Sequence, residues 1–120
     1  MKQIYIISRY RAATEKEREF NRNVARYFCK QIIQEGDEPV APHLYFTQFL
    51  DDDYEDEREK GLSFANKKLF EADEFLLVVI DGVLSQGMRG EIAKVGEWGM
   101  RGRIVSLTHS EIKEAMKVVR

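Results

Sequence analysis

The chain is poor in the residues that make specialised architectures. Its one cysteine, Cys29, has no partner for an internal disulfide, so a buried reduced thiol in a helical pattern is expected. Its two prolines and eight glycines mark no linker, repeat or low-complexity stretch. The apolar run Phe75–Ile80 is far too short to cross a bilayer. The start, MKQIYIIS, has neither the apolar length nor the cleavage site of a signal peptide, so a cytoplasmic protein with no membrane partner is expected. Nineteen basic against 21 acidic residues leave a net charge of −2. With no basic excess, a nucleic-acid polymer is excluded as a partner, although a small phosphorylated ligand needs only one or two arginines. Neither a Gly-x-Gly-x-x-Gly nor a Walker loop is present, and His43 and His109 show no metal-ligand spacing. No cofactor and no metal are expected.

What is present describes one globular α/β domain over residues 1–120, with 43% hydrophobic and 33% charged residues. Lys2–Ser8 is rich in β-branched and aromatic residues and predicts a central first strand. Thr14-x-x-Glu17 is a capping box opening a helix whose inner face is Phe20, Val24, Tyr27, Phe28 and Ile32, with Gly36 as its C-cap. Glu38–Ala41 predicts a second strand, placed at an edge by Pro39. A loop through Tyr45, Phe46 and Phe49 then leads into the acidic run Asp51–Glu59, read as a solvated loop and first helical turn. A helix over about Asp56–Ala72 should bury Leu62, Ala65, Leu69 and Ala72. Phe75–Ile80 predicts a strand buried on both faces, followed by the Asp81-Gly82 turn pair. Ser85 then caps a helix running to about Gly99, Arg103–Leu107 is a fourth strand, and Thr108-x-x-Glu111 opens a last helix carrying Ile112, Met116 and Val119.

The alternation of short apolar strands with amphipathic helices predicts a three-layer sandwich of flavodoxin-like or Rossmann-like form. Its mainly parallel sheet of four to five strands should have the order 2-1-3-4. Strands one and three are then neighbours, and the loops Ser8–Ala13 and Asp81–Gly90 share a crevice at their carboxyl ends. That crevice would collect Arg9, Arg11 and Glu91. Met88, Glu91, Ile92 and Val95 share one helical face, so Glu91 points inward. It either carries chemistry there or reaches back to the helix start. Ser85 and the free N–H groups after it suit a phosphate, while an ordinary cap beside solvated arginines is the competing reading. His43, at a strand end, faces the crevice or caps a loop.

Three stretches taken together resemble the nucleoside 2-deoxyribosyltransferase-like superfamily, which includes N-glycosidases of 2′-deoxynucleoside 5′-monophosphates. They are Ile4-Tyr5-Ile6-Ile7-Ser8-x-Tyr10-Arg11, Phe70-Glu71-Ala72-Asp73, and Ser85-x-Gly87-Met88-x-x-Glu91. Small bacterial and phage members carry Ala41-Pro42-His43-Leu44 and Gln48-Phe49-Leu50-Asp51-Asp52 in the same places. The resemblance implies a flavodoxin-like fold and a covalent mechanism in which Glu91 is the nucleophile and Tyr5 orients it. It implies a nucleoside or nucleotide held by Ser8, Arg9, Tyr10, Arg11, Ser85, Gly87 and Met88, with His43, Asn66 and Asp81 as further candidates. Serine at position 85 matches relatives that hydrolyse deoxynucleotides. Family members form homodimers or larger homo-oligomers, for which Tyr45, Phe46, Phe49 and Trp98 are the candidate interface residues. The chain departs from the family pattern at Ala65, where an acid is usual, and at Ala93, Val95, Ser8 and Arg9. A nucleotide- or nucleotide-sugar-binding module without turnover is the alternative reading.

Overall fold

The computed structural model describes residues 1–117. Four parallel strands, β1 (Gln3–Ile7), β2 (Glu38–Val40), β3 (Glu74–Ile80) and β4 (Gly102–Leu107), form one sheet in the order β2-β1-β3-β4. The expected architecture and strand order are those observed, with four strands, and Pro39 does lie in an edge strand. Five helices cover the sheet: α1 (Glu15–Gln34), α2 (Pro42–Phe46), α3 (Glu55–Glu71), α4 (Gln86–Trp98) and α5 (His109–Lys117).

Pleating splits the core in two, because successive side chains of a strand point to opposite faces. Ile4 and Ile6 of β1 and Leu76 and Val78 of β3 pack with Val24, Phe28 and Ile32 of α1 and Ile112 of α5. Tyr5, Ile7, Leu77 and Val79 pack on the other face with Leu69 of α3 and Met88 and Val95 of α4. Cys29 is half-buried beside the first cluster, and burial raises its thiol pKa to about 11, so it is inert at neutral pH. Met116 packs against the same cluster, whereas Val119 lies outside the described residues.

Helix ends follow local chemistry. The Thr14 hydroxyl accepts the Glu17 N–H at 3.2 Å, and Thr108 and Glu111 cap each other reciprocally at 2.8 and 3.1 Å. Gly36 (φ 92°) closes α1 in a Schellman turn, with its own N–H on Ile33 O and the Asp37 N–H on Ile32 O, both at 3.0 Å. Asp81 (φ 55°) and Gly82 (φ 70°) both have positive φ, as a type I′ turn requires, and the Val83 N–H returns to Ile80 O at 3.1 Å.

Two expectations are corrected. The stretch expected as a loop through Tyr45 and Phe46 is the short helix α2, opened by Pro42 in its first turn. Leu62 is 41% exposed instead of core. The first half of α3 packs on the α2 region, where Phe64 stacks on Phe46 at 4.7 Å and Gly61 faces Leu50. Only Ala65 and Leu69 of α3, with the capping Ala72 after it, are buried.

Gly102 pairs with Phe75 across β3 and β4, and a Cβ built on it would overlap the Phe75 ring near its root. Gly102→Ala should therefore destabilise the fold by about 1–3 kcal/mol in urea unfolding. Adding Phe75→Leu should recover part of that loss.

Candidate active site

Tyr5 and Glu91 meet 86 positions apart in sequence. Central β1 places Tyr5, fully buried, under the inner face of α4. That face is Met88, Glu91 and Val95, one residue per turn, and Glu91 is 9% exposed. The Tyr5 hydroxyl donates a short hydrogen bond to Glu91 Oε2. Desolvation raises the Glu91 pKa to about 7, against the smaller lowering effects of the Tyr5 hydrogen bond and of Lys94. Desolvation, reinforced by the Glu91 charge, raises the Tyr5 pKa, so Tyr5 keeps its proton and remains the donor. The carboxyl group thus titrates near neutrality. Ionised, it is a poorly solvated base or nucleophile with one fixed partner.

Six residues upstream, Ser85 caps α4, its Oγ accepting the Met88 N–H at 3.2 Å. No acidic residue occupies the first turn of α4, so no carboxylate there offsets the positive end of the helix. Gly87 lies in that turn, with open space where a Cβ would project.

The other candidates are distributed over two cavities. Ser8, Arg9, Asp81 and Met88 line a cavity of about 560 Å³ on the α1/α5 side of the sheet. Tyr10 and Arg11 line one of about 460 Å³ formed with residues 47–53. Glu91 lines neither of these two cavities. Tyr10, between the two arginines, stacks on His43 at 5.0 Å. His43 is the second residue of α2, and burial lowers its pKa against the opposing pull of Asp52, so its imidazole is neutral at pH 7. Asp81 accepts the His109 N–H at 2.9 Å and ties the end of β3 to the start of α5. Asn66 is half-buried on α3, and Ala65, at the family's usual acidic position, is 2% exposed and part of the interior. Phe20 and His109, which spacing alone did not single out for a site, stack at 4.5 Å in the wall of the larger cavity. Among the described residues no cluster of three His, Cys, Asp or Glu side chains is placed to hold a metal ion, and no helix is long and apolar enough to cross a membrane.

A family model described as "Domain of unknown function (DUF7768)" matches residues 2–105. The chain belongs to the DUF7768 family. This DUF7768 chain is also similar in structure to a 2-deoxyribosyltransferase from the psychrotolerant bacterium Bacillus psychrosaccharolyticus, with a TM-score of 0.65 at 15% identity. The likeness covers 87% of this chain and 72% of the other. At that identity it is a likeness of fold. No curated protein matches the DUF7768 chain.

Between pH 4.5 and about 7 the folded chain keeps the Glu91 proton that the unfolded chain has lost. Stability from this group is therefore complete below the lower value and declines as pH rises through the upper one. Glu91→Gln should accordingly stabilise the protein by about 2–3 kcal/mol near pH 8 and by little near pH 4.5, read as the difference between thermal or urea unfolding at the two pH values.

Proposed function

We propose that this protein cleaves the N-glycosidic bond of a (deoxy)nucleoside or its 5′-monophosphate, or transfers the deoxyribosyl group from it, through a covalent Glu91 intermediate. The observation that carries the reading is the buried Tyr5–Glu91 pair on the inner face of α4. The fold shared with a 2-deoxyribosyltransferase, and the resemblance of Tyr5, Ser85, Gly87 and Glu91 to that superfamily's pattern, support it.

In this reading the ionised Glu91 attacks C1′ of the sugar. The C1′–N bond breaks, and its electron pair leaves with the base, which takes up a proton. Water or a second base then attacks C1′, the ester bond breaks, and the carboxylate is regenerated. Tyr5 holds Oε2 so that the other carboxylate oxygen is the attacking atom. The start of α4, with Ser85, Gly87 and its free N–H groups, receives the 5′-phosphate. Ser8, Arg9, Tyr10 and Arg11, following β1, supply the remaining polar contacts, with Met88 beside them. His43, Asn66 and Asp81 are the outer candidates.

One observation favours a binding module without turnover: Glu91 lines neither cavity and is 9% exposed. The two readings separate in one assay of base release from the common deoxynucleosides and their monophosphates. Catalysis predicts release that rises with pH through about 7, as Glu91 loses its proton. It also predicts an adduct with a 2-fluoro-deoxynucleotide, absent in Glu91→Ala. Retained binding with no release in the wild type would establish the module instead.

Gly87→Ala tests the phosphate seat. With open space at that Cβ and better helix propensity, the variant should be as stable as the parent or stabler by up to about 1 kcal/mol. Its KM for a monophosphate should rise, while the KM for the matching nucleoside stays put.

The same reading carries a homo-oligomer. Tyr45 and Phe49 are 57% and 64% exposed, and Trp98, edge-on to Phe70, is 38% exposed. Light scattering should give a mass at least twice the 14.0 kDa of one chain, and Phe49→Glu should lower it.

A further inference from the structure

The α1/α5 side of the sheet carries a cavity that Glu91 does not line, although Ser8, Arg9, Asp81 and Met88 in its lining also serve the substrate in the reading above. Its volume, about 560 Å³, is that of a small-molecule site. Val24, Val78 and Ile80 form an apolar floor, and the stacked rings of Phe20 and His109 form one wall. Asn21, only 8% exposed, sits in the lining. It donates Nδ2 to the Tyr10 carbonyl at 3.2 Å, and its Oδ1 takes no hydrogen bond from the described residues.

The charges at the mouth are unequal in what they already hold. Asp81 accepts the His109 N–H, Glu17 takes the Thr14 hydroxyl at 3.2 Å, and Glu19 is ion-paired with Arg22 and Arg26. Arg9, Lys16 and Lys113 line the same cavity and make no ion pair among the described residues. Glu17 and Asp81 also make no ion pair among the described residues, so these three cations exceed them by one charge, which in an apolar, aromatic-walled cavity suits a ligand with a flat apolar body and one anionic group.

We propose that this cavity is a second ligand site, separate from the Tyr5–Glu91 pair, for a small aromatic carboxylate whose ring N–H or O–H donates to Asn21 Oδ1. The ring lies against Phe20 and His109, and the carboxylate lies at the mouth between Lys16 and Lys113. The site does not depend on the glycosidase reading, because it is argued from Phe20, Asn21, His109, Lys16 and Lys113, which that reading does not use.

The test is a titration of ¹⁵N-labelled protein with three indoles of similar size: indole-3-acetate, tryptophol and tryptamine, which are anionic, neutral and cationic. Indole-3-acetate should give saturable amide shifts at Phe20, Val24, His109 and Lys113. It should bind more tightly than tryptophol, and tryptophol more tightly than tryptamine. Lys16 and Lys113 are exposed, so Lys16→Gln and Lys113→Gln should fold normally, and each should weaken the anion by about threefold, the size of a solvent-screened ion pair. Neither should alter tryptophol binding, and Glu91→Gln should bind all three like the parent. Equal affinity for the three probes, shifts centred on α3 and α4, or indifference of the anion to both lysine substitutions would each overturn the proposal.

Discussion

The hydrogen bond between Tyr5 and Glu91 is the constraint on which the functional half of this structure turns. A carboxyl group 9% exposed among apolar side chains is costly when ionised. Among the described residues one buried hydroxyl is its only hydrogen-bond partner, and the pKa near neutrality is the result. The pair exists only because β1 lies in the middle of the sheet and α4 crosses above it. Either element displaced by one residue would turn the tyrosine or the carboxylate elsewhere.

Pleating gives β1 two separate tasks. Its odd positions, Tyr5 and Ile7, serve the α3/α4 side, while Ile4 and Ile6 serve the α1/α5 side. The loop after β1 and the turn after β3 then open at the top of the sheet, where parallel α/β folds leave a crevice. In this chain the crevice is divided. Tyr10 stacks on His43, Arg11 lines a cavity with residues 47–53, and Arg9 lines the cavity on the α1/α5 side. A cavity with an apolar floor, whose Arg9, Lys16 and Lys113 make no ion pair among the described residues, lies behind the sheet, and a buried acid lies in front of it.

Much of this was legible without coordinates, wherever the cause is local. Thr14 with Glu17, Thr108 with Glu111, Gly36, Ser85 and the Asp81-Gly82 turn each act within four or five residues, and each is found doing what its chemistry dictates. Where the outcome depends on what a segment packs against, residue patterns were weaker guides. Five residues starting at Pro42 are too few to show helical periodicity, so α2 read as a loop. Leu62 keeps the spacing of a core position yet lies on a part of α3 that packs beside α2 instead of over the sheet.

By itself the sequence determined the strand and helix pattern, the order of the sheet and the inward direction of Glu91. All of these follow from period-two and period-3.6 burial, from end-capping chemistry and from the handedness of crossovers. The family resemblance already paired Tyr5 with Glu91, but only the tertiary structure decided that a hydrogen bond joins them, that Arg9 and Arg11 line different cavities, and that Phe20 meets His109. Such contacts join residues that are neighbours through packing alone. Packing is settled by the shapes of whole layers meeting across the sheet, which no local stretch of the chain encodes.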